Sequence, residues 1–149
     1  MSNLPAQFAT TLEVRDSCLC LAVHRAARRL ARRFDKVFRP LGITHGQFSL
    51  LNGLNRPTPP TMAEVAQLLA MDRTTLTAAL KPLEKSGHVR VVIDAQDRRQ
   101  RRLLLNDSGR TMLEAAWPLW RLAHQALEAE TLAEGEAAAL RQGLAALAA

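Results

Sequence analysis

The chain has 149 residues, a length typical of a single domain, and 48% of them are hydrophobic while only 4% are aromatic. The apolar residues are mostly Ala and Leu, which favour helices, so the composition predicts a mainly helical fold and excludes wholesale disorder. Twenty Lys and Arg against fourteen Asp and Glu give a net charge of +6, which favours nucleic acid or an anionic surface as the partner.

The two cysteines, Cys18 and Cys20, are too close in sequence to crosslink distant parts of the fold or to complete a zinc site. We expect free thiols in a cytoplasmic protein. No segment approaches the ~18 consecutive apolar residues of a membrane span. The four histidines show no metal-ligand spacing. We therefore expect no metal, no cofactor and no membrane partner.

Apolar residues recur at steps of three and four over residues 16–39, which predicts a long helix after a loose amino-terminal arm with a short helix at most. Pro40 and Gly42 end this helix. Thr44 with Gln47 forms a capping-box pattern, which opens a second helix. The seven basic residues of the first helix are interpreted as a solvated face.

A Pro-rich break at residues 56–60 precedes a second capping-box pattern, Thr61 with Glu64, which opens a short helix. Asp72 can cap the next helix, residues 73–86, and the glycine that follows occupies the position of a left-handed carboxy-terminal cap. These residues predict two short helices joined by a tight turn.

A β-branched run over residues 88–93, a polar turn and a returning strand at residues 101–105 predict a hairpin. Two short helices followed by a hairpin form a winged helix-turn-helix, whose second helix fits the DNA major groove. We expect Leu76, Leu80 and Leu83 to face the core. The expected DNA-contacting residues of this helix are Arg73, Thr74, Thr75, Thr77 and Lys81.

The tip of the hairpin carries arginines that can enter the narrow minor groove, where negative potential is focused. Arg98, Arg99 and Arg101 are the candidates, with Arg102 close behind. Asp97 is expected to hold the Arg99 guanidinium in a bidentate pair and so to fix its direction.

The carboxy-terminal section predicts two more helices. Asn106 or Asp107 caps the first, which continues through Pro118 with a kink, and Thr131 with Glu134 opens the second. These helices carry more apolar surface than one small domain needs, which favours a homodimer. The apolar residues are Leu113, Trp117, Trp120, Leu127, Leu140, Leu144 and Leu147.

The stretch TMAEVAQLLAMDRTTLTAALKPLEKSGHVRVVIDAQDRRQRRLLLNDSG, residues 61–109, resembles the core of the MarR family of bacterial transcriptional regulators. The preceding LGITHGQFSLL and the outer helices extend the resemblance over nearly the whole chain. Three short motifs are specific to the family in combination, although none is specific alone: Leu83-Glu84-x-x-Gly87, Asp97-Arg98-Arg99 and Leu105-x-x-x-Gly109.

The resemblance implies a mainly α fold with a winged helix-turn-helix and a two-stranded wing, flanked by dimerisation helices. In residue ranges, it implies one chain, 1–149, with a DNA-binding part at 44–105 and a helical dimerisation part at 1–43 and 106–149. It implies a homodimeric regulator, expected to be a repressor, on an inverted-repeat operator of double-stranded DNA, and no enzymatic activity. Pro82 inside the recognition helix and Asn106, where the family usually has Thr, depart from the pattern.

The sequence leaves two alternatives for the signal that controls DNA binding, a small ligand and oxidation. Many relatives bind aromatic acids in a crevice, for which His24, His45, Phe48 and Trp117 are candidate lining residues, although both tryptophans also suit core or dimer packing.

The alternative signal is oxidation, because LCLAVHRAARR resembles the thiol-based branch of the family with its reactive cysteine at Cys20. His24, Phe34 and His45 occupy the positions of the tyrosines of that branch. A further alternative, from another class, is a winged-helix interaction module with no DNA role.

Overall fold

The computed structural model describes residues 5–149, and these residues fall into two compact units that divide after Arg33. The first unit contains helix α1, Ala6–Ser17, and the start of helix α2, Leu19–Phe38. The predicted arm is thus helical from Ala6 onward, and its helix is longer than expected, while its first four residues lie outside the described part of the chain.

The predicted helix over residues 16–39 is two helices, because Cys18 breaks it. Cys18 has an extended backbone, with φ −74° and ψ 110°. Its Sγ accepts the N–H of Leu21 at 3.4 Å, as an amino-terminal cap would. Helix α2 thus starts afresh at Leu19 and ends where predicted, in a short 3-10 turn, Arg39–Leu41, closed by Gly42 at φ 72°.

Helices α3 (His45–Leu54) and α4 (Met62–Leu68) both begin with the predicted capping box. Thr44 accepts the N–H of Gln47, and Thr61 accepts the N–H of Glu64, each at 3.2 Å. In both boxes the residue at the third helical position accepts the backbone N–H of the threonine in return. These local pairs fix where each helix starts.

Helix α5, Arg73–Lys85, is the second helix of the predicted pair, and Asp72 caps it as expected. The turn before it contains Ala70 at φ 51°, and the predicted left-handed cap follows it at Gly87, φ 81°. Pro82 lies inside α5 without ending it.

The wing consists of strands β1, Val89–Ile93, and β2, Arg101–Leu105, paired antiparallel from Val89 opposite Leu105 to Ile93 opposite Arg101. The core between the wing and the helices is almost entirely leucine and valine. The fold is mainly helical with a two-stranded wing, so the predicted winged helix-turn-helix is confirmed. The buried core residues are Leu50, Leu51, Leu54, Val65, Leu76, Leu80, Leu83, Val89, Leu103, Leu105 and Leu113.

Helix α6, Asp107–Thr131, continues through Pro118 as predicted. The capping box expected at Thr131 and Glu134 is wrong, because helix α7, Glu136–Leu147, begins after Gly135. The Thr131 hydroxyl donates instead to the carbonyl of Leu127, one turn back, at 2.6 Å.

The side chain of Asn106 does not cap α6 either, although Asn106 occupies the cap position. Its amide Nδ2 donates to the carbonyl of Gly87 at 2.9 Å, which joins the start of α6 to the end of α5. Across residues 5–149, no helix is long and apolar enough to span a lipid bilayer.

Candidate nucleic-acid interface

The start of α5 is held by one carboxylate, that of Asp72. It accepts the backbone N–H of Thr75 at 2.7 Å and the Thr75 hydroxyl at 3.0 Å. These two bonds, the backbone one first, lower the pKa of Asp72. The cap therefore fixes the direction in which the exposed first turn of α5 projects.

The predicted contact residues of α5 are all exposed, while Leu76, Leu80 and Leu83 are buried on the opposite face as expected. Two hydroxyl protons are already used within the helix, since Thr75 donates to Asp72 and Thr77 donates to the carbonyl of Arg73 at 2.8 Å. The oxygens of both threonines remain acceptors.

The wing tip differs from the expected bidentate pair. Arg99 Nε lies 3.4 Å from one oxygen of Asp97, and the same oxygen accepts the backbone N–H of Arg99 at 3.1 Å. Asp97 therefore shapes the turn backbone, and the Arg99 side chain, 93% exposed, extends from it. Arg101 Nη1 donates to the carbonyl of Arg98 at 3.2 Å, which braces the tip from behind.

Where the two strands meet the wing-tip turn, the buried Asp94 forms an ion pair with the half-buried Arg102. Asp94 also accepts the N–H groups of Asp97 and Gln96 at 2.9 and 2.7 Å. The bond from Asp97, followed by those from Arg102 and Gln96, lowers the pKa of Asp94 to about 2. Arg102 Nη1 donates to the carbonyl of Pro59 at 2.6 Å. Arg102 thus holds the wing against the Pro-rich loop.

Arginines of the helix and of the wing meet in one cleft of about 260 Å³. Arg73 comes from the first turn of α5, while Arg99 and Arg101 come from the wing tip and strand β2. The fold therefore brings together residues that are far apart in sequence. The floor of the cleft is the start of α4 and the residue before it.

A second, larger cleft of about 650 Å³ lies between α3, α4 and α6, and two of the candidate ligand-lining residues, Phe48 and Trp117, line it. Trp117 Nε1 donates to Asn52 Oδ1 at 2.9 Å, so the indole edge is fixed. Phe48 stacks with Trp120, with ring centroids 6.5 Å apart. The full lining is Phe48, Ser49, Asn52, Gly53, Leu68, Leu69, Trp117, Trp120 and Arg121.

The two candidate histidines are engaged elsewhere. His45 donates its backbone N–H to Asp35 Oδ1 at 2.8 Å and places Nδ1 2.9 Å from the same oxygen, and these bonds, the backbone one first, lower the pKa of Asp35. His24 lies one helical turn after Cys20, with Nδ1 3.5 Å from the Sγ atom. Neither is among the residues that line the 650 Å³ cleft.

Cys20 is exposed and its thiol is free. Its sulfur has one neighbouring ring nitrogen, that of His24, which can donate to or accept from it. Within residues 5–149, no three His, Cys, Asp or Glu side chains lie together as a metal site requires.

The sequence and the fold both match known proteins. A sequence model of the MarR family matches residues 41–100. The transcriptional regulator MosR of M. tuberculosis, solved in complex with DNA, is 36% identical to this chain, with a TM-score of 0.79 over 89% of this chain and 94% of MosR. The chain belongs to the MarR family.

Curated relatives of this MarR-family chain match it over a shorter stretch. It is 38% identical over 95 residues to TtmR of Methylorubrum extorquens, an HTH-type transcriptional regulator. It is 31% identical over 99 residues to BadR of Rhodopseudomonas palustris, a transcriptional activatory protein. The matches include 64% of this chain but 49% and 57% of the relatives, so the chain spans about half of their length.

The family match contains α3, α4, α5 and the wing tip with Arg99. The family match ends just before Arg101, so strand β2, including the Arg102 that pairs with Asp94, lies outside the match. The Asp94–Arg102 pair was missed in the sequence, where the visible signal was an acid directly after the β-branched run and an arginine across the predicted hairpin.

Proposed function

We propose that this chain is a DNA-binding transcriptional regulator and not an enzyme. The observation that carries the proposal is the cleft in which Arg73 of the recognition helix meets Arg99 and Arg101 of the wing. A helix amino terminus in the major groove and an arginine in the adjacent minor groove would use these groups together. The solved MosR complex with DNA supports the same use of the fold.

We further propose that the DNA-binding part is residues 44–105, with Arg73, Thr74, Thr77 and Lys81 directed at bases and phosphates. The Thr75 hydroxyl donates to the capping residue Asp72, and its oxygen can still accept a hydrogen bond from DNA. Arg98 and Arg99 enter the minor groove, and Asp97 sets the turn that presents them.

A homodimer is proposed from apolar side chains that each unit leaves exposed. Helix α7 exposes Leu140, Leu144 and Leu147, and the first unit exposes Phe8 and Leu19 among others. Monomeric proteins rarely expose apolar patches of this kind, and the outer parts, residues 1–43 and 106–149, therefore serve dimerisation. Two recognition helices would then bind half-sites about one DNA turn apart in an inverted repeat.

DNA binding is tested by fluorescence anisotropy on duplex DNA from the region upstream of its own gene, with shuffled duplex as the competitor. The expected result is salt-dependent binding that is much tighter for the upstream duplex. Arg99→Ala should weaken binding by about 1–3 kcal/mol. Arg28→Ala removes the same charge from an exposed position on α2 and serves as the control.

Equal affinity for both duplexes would show architectural rather than sequence-specific binding. No binding at low salt would favour the alternative of a winged-helix interaction module. We propose repression as the direction of control, and a reporter assay decides it, since BadR is named as an activator.

The proposed signal is a small aromatic acid bound in the 650 Å³ cleft. Its volume suits a small-molecule ligand, its walls are aromatic, and Arg121 supplies a cation for a carboxylate. Titration with 4-hydroxybenzoate should quench tryptophan fluorescence saturably and release the DNA. Arg121→Gln should weaken this effect, while Arg141→Gln, outside the cleft, should not.

The alternative signal is oxidation of Cys20, favoured by its exposure and by the nearby Nδ1 of His24. Peroxide would then release the DNA from the wild type and from Cys18→Ser but not from Cys20→Ser. Release from all three proteins, or from none, would exclude this signal.

A further inference from the structure

A third cleft, of about 530 Å³, lies beside the base of the wing, and none of its lining residues is among those proposed to contact DNA or an aromatic ligand. Three of its lining residues are arginines: Arg56 from the loop after α3, Arg90 from β1 and Arg110 from the first turn of α6. The only acid in the lining is Asp107. The cleft therefore has an excess of positive charge that comes from three separate elements.

The walls of this cleft are fixed by hydrogen bonds. The N–H of Leu103 donates to the carbonyl of Pro60 at 2.9 Å, and Arg102 Nη1 donates to the carbonyl of Pro59 at 2.6 Å. On the other side, the N–H of Asn106 donates to the carbonyl of His88 at 2.9 Å. The loop, the hairpin and the start of α6 are thus joined, and the cleft is preformed.

Among residues 5–149, two of the three guanidinium groups form no ion pair, and Glu64 attracts only one of these two, Arg56, through a longer-range electrostatic interaction. Arg110 donates to the carbonyl of Leu105 at 3.0 Å and to Asp107 Oδ1 at 2.8 Å, which orients it. Within the described part of the chain, the side chains of Arg56 and Arg90 form no hydrogen bond or ion pair. Like charges held around one concavity repel each other unless an anion lies between them.

We propose that this cleft binds a small phosphate-bearing anion through Arg56 and Arg90, with Arg110 oriented beside them. Guanidinium groups pair with phosphate oxygens through two parallel hydrogen bonds. The amino end of the 25-residue helix α6, which has no side-chain cap, adds favourable potential for an anion. The volume exceeds that of a single phosphate, so a phosphorylated metabolite is the class that fits.

The test is calorimetric titration of the full chain with sodium pyrophosphate at low salt. The wild type should bind saturably. Arg56→Gln combined with Arg90→Gln should weaken binding at least about tenfold, the loss expected when charged hydrogen bonds are removed. The matched control, Arg28→Gln with Arg32→Gln, removes the same charge from α2 and should stay within about twofold. No saturable binding, or equal weakening in both double variants, would overturn the proposal.

The same variants separate a free phosphate compound from DNA phosphates. If the cleft binds a free anion, the Arg56 and Arg90 double variant keeps its affinity for the upstream duplex at every salt concentration. If it binds the DNA backbone instead, that variant loses DNA affinity, the salt slope falls by about two, and the proposal is overturned. Because all four substituted side chains are exposed, thermal unfolding should show that each variant folds.

Discussion

Gly109 is buried in the first turn of α6, where that helix meets the base of the wing. A Cβ atom at this position would lie 2.5 Å from the carbonyl oxygen of His88 and 2.6 Å from Cδ1 of Leu105. The carbonyl belongs to the backbone and accepts the N–H of Asn106 at 2.9 Å, so it cannot move without weakening that bond. Gly109→Ala should therefore separate α6 from the wing.

The size of the effect follows from two opposing contributions. Overpacking a tight site costs about 1–3 kcal/mol, and contact with a backbone oxygen places this substitution near the upper end. Alanine regains roughly 1 kcal/mol of helix propensity over glycine. The net loss is about 2 kcal/mol, which corresponds to a Tm lower by roughly 4–8 °C for a domain of this length.

Thermal and urea unfolding followed by circular dichroism measure this difference. Gly143→Ala is the matched control, because Gly143 is also helical but has no neighbouring atom within 4 Å of an added Cβ. It should raise stability by up to about 1 kcal/mol. If both variants shift the Tm in the same direction, the close approach at His88 does not determine the role of Gly109.

Three further substitutions address the wing, a cap and the core. Asp94→Asn should lower both the Tm and the DNA affinity. Because the pKa of Asp94 is lowered to about 2, the contribution of its charge to the free energy of unfolding is full above about pH 4 and is lost towards pH 2. The variant lacks this contribution, so its acid unfolding should begin at a higher pH. Thr61→Ala should cost about 1 kcal/mol in urea unfolding, whereas Thr131→Ala, which removes no cap, should stay within about 0.5 kcal/mol. Leu80→Ala should cost about 2–5 kcal/mol in the same assay, because Leu80 is 1% exposed.

Local sequence patterns predicted the elements whose contacts are themselves local. Thr44 and Thr61 open their helices as expected, since both partners of each capping box are three residues apart. The same pattern at Thr131 failed because Gly135, at φ 81°, begins the next helix later and leaves Thr131 at the end of α6. A capping-box pattern therefore predicts a helix start only where its first residue does not already belong to a preceding helix.

Contacts of the wing, one local and one between distant residues, could not be predicted in this way. The expected bidentate pair at the wing tip assigned Asp97 to a side chain, but the carboxylate is needed by a backbone N–H of the tight turn. Arg102 bonds to Pro59, forty-three positions earlier, and no spacing in the sequence indicates that pairing. The charged cleft at Arg56 and Arg90 depends on the same long-range contact between the Pro-rich loop and β2.

Strand β2 connects these features. Arg101 lines the cleft shared with the recognition helix, Arg102 is bound to Asp94 and Pro59, and Leu103 to Leu105 line the arginine-rich cleft. Simple electrostatics predicts that removing the charge of Asp94 strengthens DNA binding, because a negative charge near the phosphates disappears. The geometry predicts the opposite, because Asp94 holds the strand and the turn that present Arg99 and Arg101. Asp107→Asn, which removes an exposed acid outside the wing, separates the two explanations: electrostatics alone would make both variants bind more tightly, whereas a positioning role weakens binding only in Asp94→Asn.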